Sequence, residues 1–400
     1  MLTLEQVVVV GGSLAGLRAA DTLRAEGYDG RLTIVGEEMH PPYDRPPLSK
    51  QVLAGSWEPE KTTLAPDDLD ADWRLGRRAT ALDLDARTIT LDDDATVPFD
   101  GLVIATGARV RTLPGQPETP GIHMLRTLDD CLALRRALEM TPGRVVVVGA
   151  GFIGAEVAAT CRGRGLDVTL IEALPVPLAR VLGSEMGSVC ADIHRDHGVD
   201  VRLGTGVEGF EGADRVERVR LTDGTSVEAD VVVVGVGVTP NTEWLAGSGL
   251  PLADGVVCDE TCLAAPGIVA AGDVARWPNE LFGEVMRVEH WDNAQAQGEH
   301  AARRLLHGPS VGAFAPVPWF WSDQYDRKIQ LAGRSGPDDE VQVVDGSVEE
   351  RRFVALYGRA GRLVGALSFN RPRPIVEYRR LIGTGTSWDD ALAHAAAARQ

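Results

Sequence analysis

Val145–Glu156 reads VVVVGAGFIGAE, and the same design stands near the start of the chain as VVVVGGSLAG, Val7–Gly16. Each stretch opens with four valines, the uninterrupted β-branched run expected of a parallel strand buried on both faces. A glycine turn follows, then an Ala-rich helix start. Working outward, each unit also ends its next predicted strand on an acid: Glu37 lies 21 residues after Gly16, and Glu172 lies 18 residues after Gly154. Strand, glycine turn, helix and strand-end acid together form the fingerprint of a dinucleotide-binding βαβ unit.

The spacing has a physical basis. A pyrophosphate must approach backbone N–H groups closely at a helix N-terminus, and only small residues permit that approach. In the second fingerprint Gly149, Gly151 and Gly154 serve the tight turn, the phosphate approach and the close helix–strand packing, with Ile153 between them. In the first, Gly11, Ser13 and Gly16 take those places, beside Gly12, Leu14 and Ala15. Ser13 departs from the ideal glycine but is small enough to admit a phosphate and to hydrogen-bond it. Glu37 and Glu172 suit the ribose hydroxyls; the alternative for either is a solvated strand-end charge. At Glu172 a carboxylate would repel a 2′-phosphate, and the nearest downstream base is Arg180, which favours NADH over NADPH. Two such units in one chain imply two bound dinucleotides, most simply a flavin and a nicotinamide.

Composition sets the bounds. At 400 residues, with 44% hydrophobic and 24% charged residues, the chain is long enough for two or three ordinary globular domains. The longest apolar runs, such as VVVVGVGV from Val231, reach about eight residues, far short of the ~20 that span a bilayer. The N-terminal MLTLEQVVVV has no basic stretch before its strand and reads as no secretory signal, so a cytoplasmic location is expected. The net charge of −18 argues against nucleic acid and anionic membranes as partners. That charge is uneven: residues 320–400 carry 12 Lys+Arg against 11 Asp+Glu, leaving the acidity to the rest of the chain. The Arg-rich end marks a surface where an acidic protein would dock, or chance unevenness of a solvated surface. Five cysteines are scattered, and only Cys258 and Cys262 are close, at a spacing that matches no common zinc or redox motif. Buried, idle thiols are expected, and no metal site.

The order of signals predicts one domain interrupted by another. Residues 1–111 and 240–319 form a discontinuous first dinucleotide-binding domain, with the chain returning to it at GIVAAGDVA, Gly267–Ala275. Residues 112–239 form the second. Residues 320–400 form a small α+β module, with strands in KIQLAG, VQVVDG, RRFVALYG and RLVGALSF, a helix from Arg373 to Ile382, and a weak terminal helix over Trp388–Gln400.

PPYDRPPLSK, LVIATGAR, LRTLDD, GAGFIGAE, GVGVTPN, AAGDVA, EHWDNAQAQG and WFWSDQYDRKIQLAG occur in that order along the chain. On these motifs the chain resembles the FAD-dependent NADH:ferredoxin reductases of the putidaredoxin-reductase type, which serve bacterial cytochrome P450 and ring-hydroxylating oxygenase systems. They belong to the glutathione-reductase-like flavoproteins, together with apoptosis-inducing factor. The resemblance implies an α/β fold of two Rossmann-like domains plus the α+β C-terminal domain. It implies FAD on Gly11, Ser13, Leu14, Ala15, Gly16, Glu37, Arg45, Ala79, Ala105, Arg126 and Asp273, and NADH on Gly149, Gly151, Ile153, Gly154, Glu172 and Gly235. Lys50 is expected beside the flavin N5, Glu156 near the nicotinamide and Lys50, and Trp321 over the opposite flavin face. Trp291 would start a helix whose positive end faces the flavin N1 side.

The implied partner is a [2Fe–2S] ferredoxin with a downstream oxygenase. Candidate docking arginines are Arg303, Arg304, Arg371, Arg373, Arg379 and Arg380. Glutathione-reductase relatives pass electrons through a Cys-x₄-Cys pair soon after the first helix, whereas Glu38–Leu53 here has no cysteine. Disulfide reduction is therefore not expected. Alternatives are an NADH:rubredoxin reductase or partner of another acceptor, a redox-sensing flavoprotein similar to apoptosis-inducing factor, and a colourless non-redox scaffold.

Overall fold

The computed structural model describes residues 4–64, 69–140 and 143–398, so the last two residues of the terminal helix expected over Trp388–Gln400 lie outside the described residues. The chain divides into two compact units. The first comprises Met1–Asp44, Thr62–Arg109 and Thr239–Pro318, and the second Arg45–Lys61, Val110–Val238 and Trp319–Gln400.

In the first unit, Gln6–Val10 is an inner strand of a six-stranded sheet. It pairs in parallel with Arg31–Gly36 on one side and Gly101–Ile104 on the other, with Val8 opposite Thr33 and Leu102. Asp72–Leu75 and Ile268–Ala270 extend the sheet in parallel, and Leu263–Ala265 closes one edge in antiparallel fashion. Because both faces are covered, Val7, Val8 and Val9 are fully buried, which is why the run reads as unbroken valine. The helix Leu14–Ala25 packs against the helix Trp291–His307. Their approach is close: a Cβ added at Gly298 would stand 2.5 Å from the Ala15 carbonyl oxygen. Strand order reverses at Gln6–Val10, the switch point where open α/β sheets take ligands.

The second unit repeats the plan. Arg144–Val148 lies between Asp167–Glu172 and Val231–Val234 in a five-stranded, all-parallel sheet completed by Asp200–Leu203 and Ile122–His123. Residues 45–61, which the sequence order assigns to the first domain, fall in this unit. Hydrogen bonds hold them there: the Cys131 thiol donates to the Leu48 carbonyl at 3.1 Å, and Arg164 to that of Leu53 at 2.9 Å.

The C-terminal part of the second unit is a five-stranded antiparallel sheet, ordered Trp319–Gln324, Arg327–Gly333, Arg362–Phe369, Arg352–Arg359 and Glu340–Ser347. The helix Pro372–Gly383 packs on its strands, and the terminal helix is Trp388–Ala397. The helix Ala179–Asp196 brings Leu182, Met186 and Ile193 into one core with Ile329, Phe353 and Leu367 of the same sheet. That helix is interrupted at Gly183, where φ is 75° and ψ 175°. The carbonyls before the break, Val181 and Leu182, accept hydrogen bonds from the hydroxyls of Ser335 and Tyr357. Among the described residues no helix is long and apolar enough to cross a membrane.

Candidate functional site

Each glycine turn is built as its spacing predicts. Gly149 has a positive φ of 97°, and a Cβ there would lie 2.4 Å from the Gly235 carbonyl oxygen. A Cβ at Gly154 would lie 2.0 Å from the Gly149 oxygen, so helix and turn touch only because neither residue has a side chain. Gly11 and Gly16 meet the equivalent collisions, with the Ala105 and Gly11 carbonyls. Gly151 is different. It caps the helix Phe152–Gly163, and a Cβ added there meets nothing within 4 Å. The middle small residue therefore faces open space at a helix N-terminus, the geometry a phosphate requires. Ser13 holds the matching N-cap position of the first unit, in extended conformation and with no capping bond from its side chain. Both turns thus fit a pyrophosphate.

Around the second turn opens a cleft of about 490 Å³, lined among others by Gly149, Gly151, Glu172, Arg180, Gly206 and Gly235. Glu172 is clamped at the strand end: its two carboxylate oxygens accept from the Ala150 and Leu174 N–H groups, both at 2.9 Å. The first-unit acid is held less firmly, since Glu37 is 66% exposed and lies 4.0 Å from Arg78. Ile153 is half exposed on the helix beside the second turn. Leu14, Ala15, Ala79 and Ala105 are buried in the first unit. Asp273 sits in the turn Gly272–Val274, which is fixed by the Gly272 N–H donating to Gln297 Oε1 at 2.9 Å. Trp291 begins its helix with Nε1 donating to Asp44 Oδ1 at 2.6 Å.

The second unit gathers a further set. Glu156, early in the helix Phe152–Gly163, is 2% exposed and accepts from four groups. Lys50 Nζ and Ser49 Oγ donate to its Oε2 at 2.8 and 2.5 Å, and Ser322 Oγ and the Asp323 N–H donate to Oε1 at 2.8 and 3.2 Å. The loop bearing Lys50 is pinned from behind by Thr160, which donates to the Ser49 carbonyl at 2.7 Å. Arg45 and Arg126 also meet, the Arg45 guanidinium donating to the Arg126 carbonyl at 2.6 Å. Trp321 precedes Ser322 on a strand, so its ring projects from the face opposite that hydroxyl. It packs against Trp319, with ring centroids 5.2 Å apart.

Burying an ion pair stabilises little in net terms, because desolvating two charges offsets their attraction. A pair 14% and 2% exposed, surrounded by hydroxyl donors, is the arrangement expected of a working site. Ser49, Ser322 and Asp323 escape the sequence reading. Their contacts with Glu156 span 107, 166 and 167 residues, and a lone serine carries no periodicity or spacing to announce it.

All five cysteines are buried and free. Burial pushes the thiols of Cys131, Cys161, Cys190 and Cys258 up to about 12, far from the reactive thiolate range. Of the arginines considered for docking, Arg303 pairs with Glu26, Arg371 with Asp345 and Arg380 with Glu377, and Arg304 donates to the Thr261 hydroxyl. Arg373 and Arg379 lie on the helix Pro372–Gly383, with Arg373 exposed.

Residues 5–298 match the family model of the pyridine nucleotide-disulphide oxidoreductases, and residues 319–399 match a reductase C-terminal domain. The chain belongs to the pyridine nucleotide-disulphide oxidoreductase family. Rhodocoxin reductase of Rhodococcus erythropolis is 40% identical to this oxidoreductase over 386 residues, covering 94% of the chain and 89% of the relative. Putidaredoxin reductase of Pseudomonas putida is 36% identical over 390 residues, covering 94% and 92%. The crystal structure of the covalent putidaredoxin reductase–putidaredoxin complex matches with a TM-score of 0.92 at 34% identity, covering 98% of each chain. The oxidoreductase has the glutathione-reductase-like architecture of two Rossmann-like domains with a C-terminal α+β domain.

Proposed function

We propose that this oxidoreductase is an FAD-dependent NADH:ferredoxin reductase that passes electrons to a [2Fe–2S] ferredoxin serving a cytochrome P450 or ring-hydroxylating oxygenase. The observation that carries the reading is the buried Lys50–Glu156 pair, its glutamate on the helix after the second phosphate turn and its lysine in a segment without cysteine. When bound, the flavin supplies the chemistry that converts a hydride into two single-electron transfers.

The chain's residues bind, orient and exclude water. Gly11, Ser13, Leu14, Ala15 and Gly16 take the FAD pyrophosphate, Glu37 its ribose, and Ala79 and Ala105 its adenosine side. Arg45, Arg126, Asp273 and Trp291 hold the remainder. Gly149, Gly151, Ile153, Gly154 and Gly235 take the NADH phosphates, and Glu172 accepts the ribose hydroxyls. Lys50 and Glu156 orient the nicotinamide, and Trp321 is the outer wall. Residues 1–111 with 240–319 serve FAD, 112–239 serve NADH, and 320–400 form the partner-facing module. The relatives named above as reductases of rhodocoxin and putidaredoxin support a small iron–sulfur protein as acceptor. The working compartment is the cytoplasm.

Anaerobic stopped-flow tests this. The yellow protein should bleach rapidly with NADH, slowly with NADPH, and reoxidise in one-electron steps on mixing with an oxidised [2Fe–2S] ferredoxin. Rapid bleaching with no reoxidation by ferredoxins but reoxidation by rubredoxin would transfer the assignment to that acceptor. Feeble turnover with an NADH-dependent change of oligomeric state would make the protein a redox sensor.

A further inference from the structure

Covalent geometry does not fix the plane of a glutamate carboxylate, because the last torsion of the side chain is soft. Hydrogen-bond donors must do it. An ionised carboxylate offers about four acceptor positions, two on each oxygen. In Glu156 each is taken: Lys50 Nζ and Ser49 Oγ stand on Oε2, and Ser322 Oγ and the Asp323 N–H on Oε1. Each oxygen therefore carries one serine hydroxyl and one nitrogen.

Both hydroxyl protons are committed to the carboxylate. Ser49 Oγ lies 3.4 Å from the Pro46 carbonyl but 2.5 Å from Glu156 Oε2, and the charged acceptor makes the stronger bond. Ser322 Oγ accepts from Gln324 Nε2 at 3.1 Å, which leaves its own proton for Oε1. Ser49 is 1% and Ser322 0% exposed, so bulk water does not compete for either.

The backbones that carry these serines are held by other contacts. Thr160, one turn after Glu156 on the same helix, grips the Ser49 carbonyl at 2.7 Å. Ser322 is paired with Ile329 in the terminal sheet. Phe320, two residues earlier and on the same strand face, meets Phe152, one turn before Glu156, with ring centroids 4.5 Å apart. Packing thus sets the helix against the strand, and the hydroxyls add only the aim of the carboxylate.

We propose that Ser49 and Ser322 are positioning residues for hydride transfer, one on each oxygen of Glu156, which fix the carboxylate plane so that Oε2 stays on Lys50. Neither serine touches the reacting atoms; both act through Glu156. The proposal rests on the reading that the Lys50–Glu156 pair orients the nicotinamide. Through Ser322 it gives the terminal sheet a part in reduction by NADH, in addition to any part in meeting the acceptor.

Two measurements test it. In anaerobic stopped-flow, Ser49→Ala and Ser322→Ala should each lower the limiting rate of bleaching about fivefold, with the NADH dissociation constant unchanged. Ser322→Thr, which keeps the hydroxyl, should stay within about twofold of the parent. In a Glu156→Gln background, Ser322→Ala should have no further effect. The second measurement needs no nucleotide. In urea titrations the midpoint losses of Ser322→Ala and Glu156→Gln should be less than additive in the double variant, as for two groups sharing one bond. Parental rates in both alanine variants beside a slow Glu156→Gln would refute the positioning role and leave the ion pair in its own. So would a Ser322→Thr rate as low as that of Ser322→Ala, an equal slowing with and without Glu156, or additive urea midpoints. Parental bleaching in Glu156→Gln would instead remove the ion pair from the reaction, and the serines' purpose with it.

Discussion

Lys50 is the only charged donor on Glu156 among the described residues, the other three being two hydroxyls and a backbone N–H. Lys50→Met therefore leaves a buried carboxylate without its countercharge and removes the ammonium expected beside the nicotinamide. The expected outcome is bleaching by NADH slowed at least about tenfold, with FAD retained, read by stopped-flow and by the flavin spectrum of the purified variant. Glu172 is a different kind of acid. Both its oxygens already hold backbone N–H groups, yet each keeps a lone pair for a ribose hydroxyl. Arg180 lines the same cleft. Glu172→Ala removes the charge that repels a 2′-phosphate and leaves the arginine, so the preference for NADH over NADPH should fall about tenfold or more. The ratio of kcat/KM for the two nucleotides measures it, and an unchanged ratio would withdraw Glu172 from the ribose.

At the scale of elements, the helix Ala179–Asp196 takes its shape from the terminal sheet. The Leu182 carbonyl, beside the break at Gly183, accepts from the Tyr357 hydroxyl at 3.0 Å, and Tyr357 is fully buried. Tyr357→Phe keeps the ring and strands the carbonyl, so it should cost about 1–3 kcal/mol. A urea titration should show a lower midpoint at unchanged slope. No sequence signal places these elements together, because the bond joins residues 175 positions apart. What the sequence makes legible is local. The valine runs, glycine turns and strand-end acids are consequences of one short stretch of backbone meeting its own neighbours. They emerge at Gln6–Val10 and Arg144–Val148 with the expected parallel partners. The C-terminal strands are legible from their alternation, and the helix read over Arg373–Ile382 is Pro372–Gly383. Lys50 and Glu156 are expected to be neighbours only through resemblance. The serines around them lie beyond reach, because a polar side chain shows in sequence its type but not which distant carboxylate will need it.

At the scale of the whole molecule, the two half-reactions make different demands. Reduction by NADH depends on contacts inside the protein, whereas delivery to a ferredoxin depends on an encounter between two charged surfaces. The protein as a whole carries −18, but residues 320–400 are close to neutral and Arg-rich. An acidic partner would be repelled by most of the surface and tolerated chiefly there, which steers orientation more than it strengthens binding. Several of these arginines are partly committed, Arg371 to Asp345 and Arg380 to Glu377, so no single one should dominate. The sign of the salt effect then separates steering by the module from repulsion by the whole. If the arginine-rich module guides the encounter, added salt screens the attraction, and the second-order rate of flavin reoxidation by an acidic ferredoxin should fall several-fold between about 0.05 and 0.5 M salt. If the net charge governs instead, the same salt screens repulsion, the rate should rise, and the docking surface must lie elsewhere. Arg373→Glu combined with Arg379→Glu should flatten or invert the falling dependence. Bleaching by NADH is the internal control: it should match the parent at each salt concentration, since neither arginine belongs to the site around Glu156.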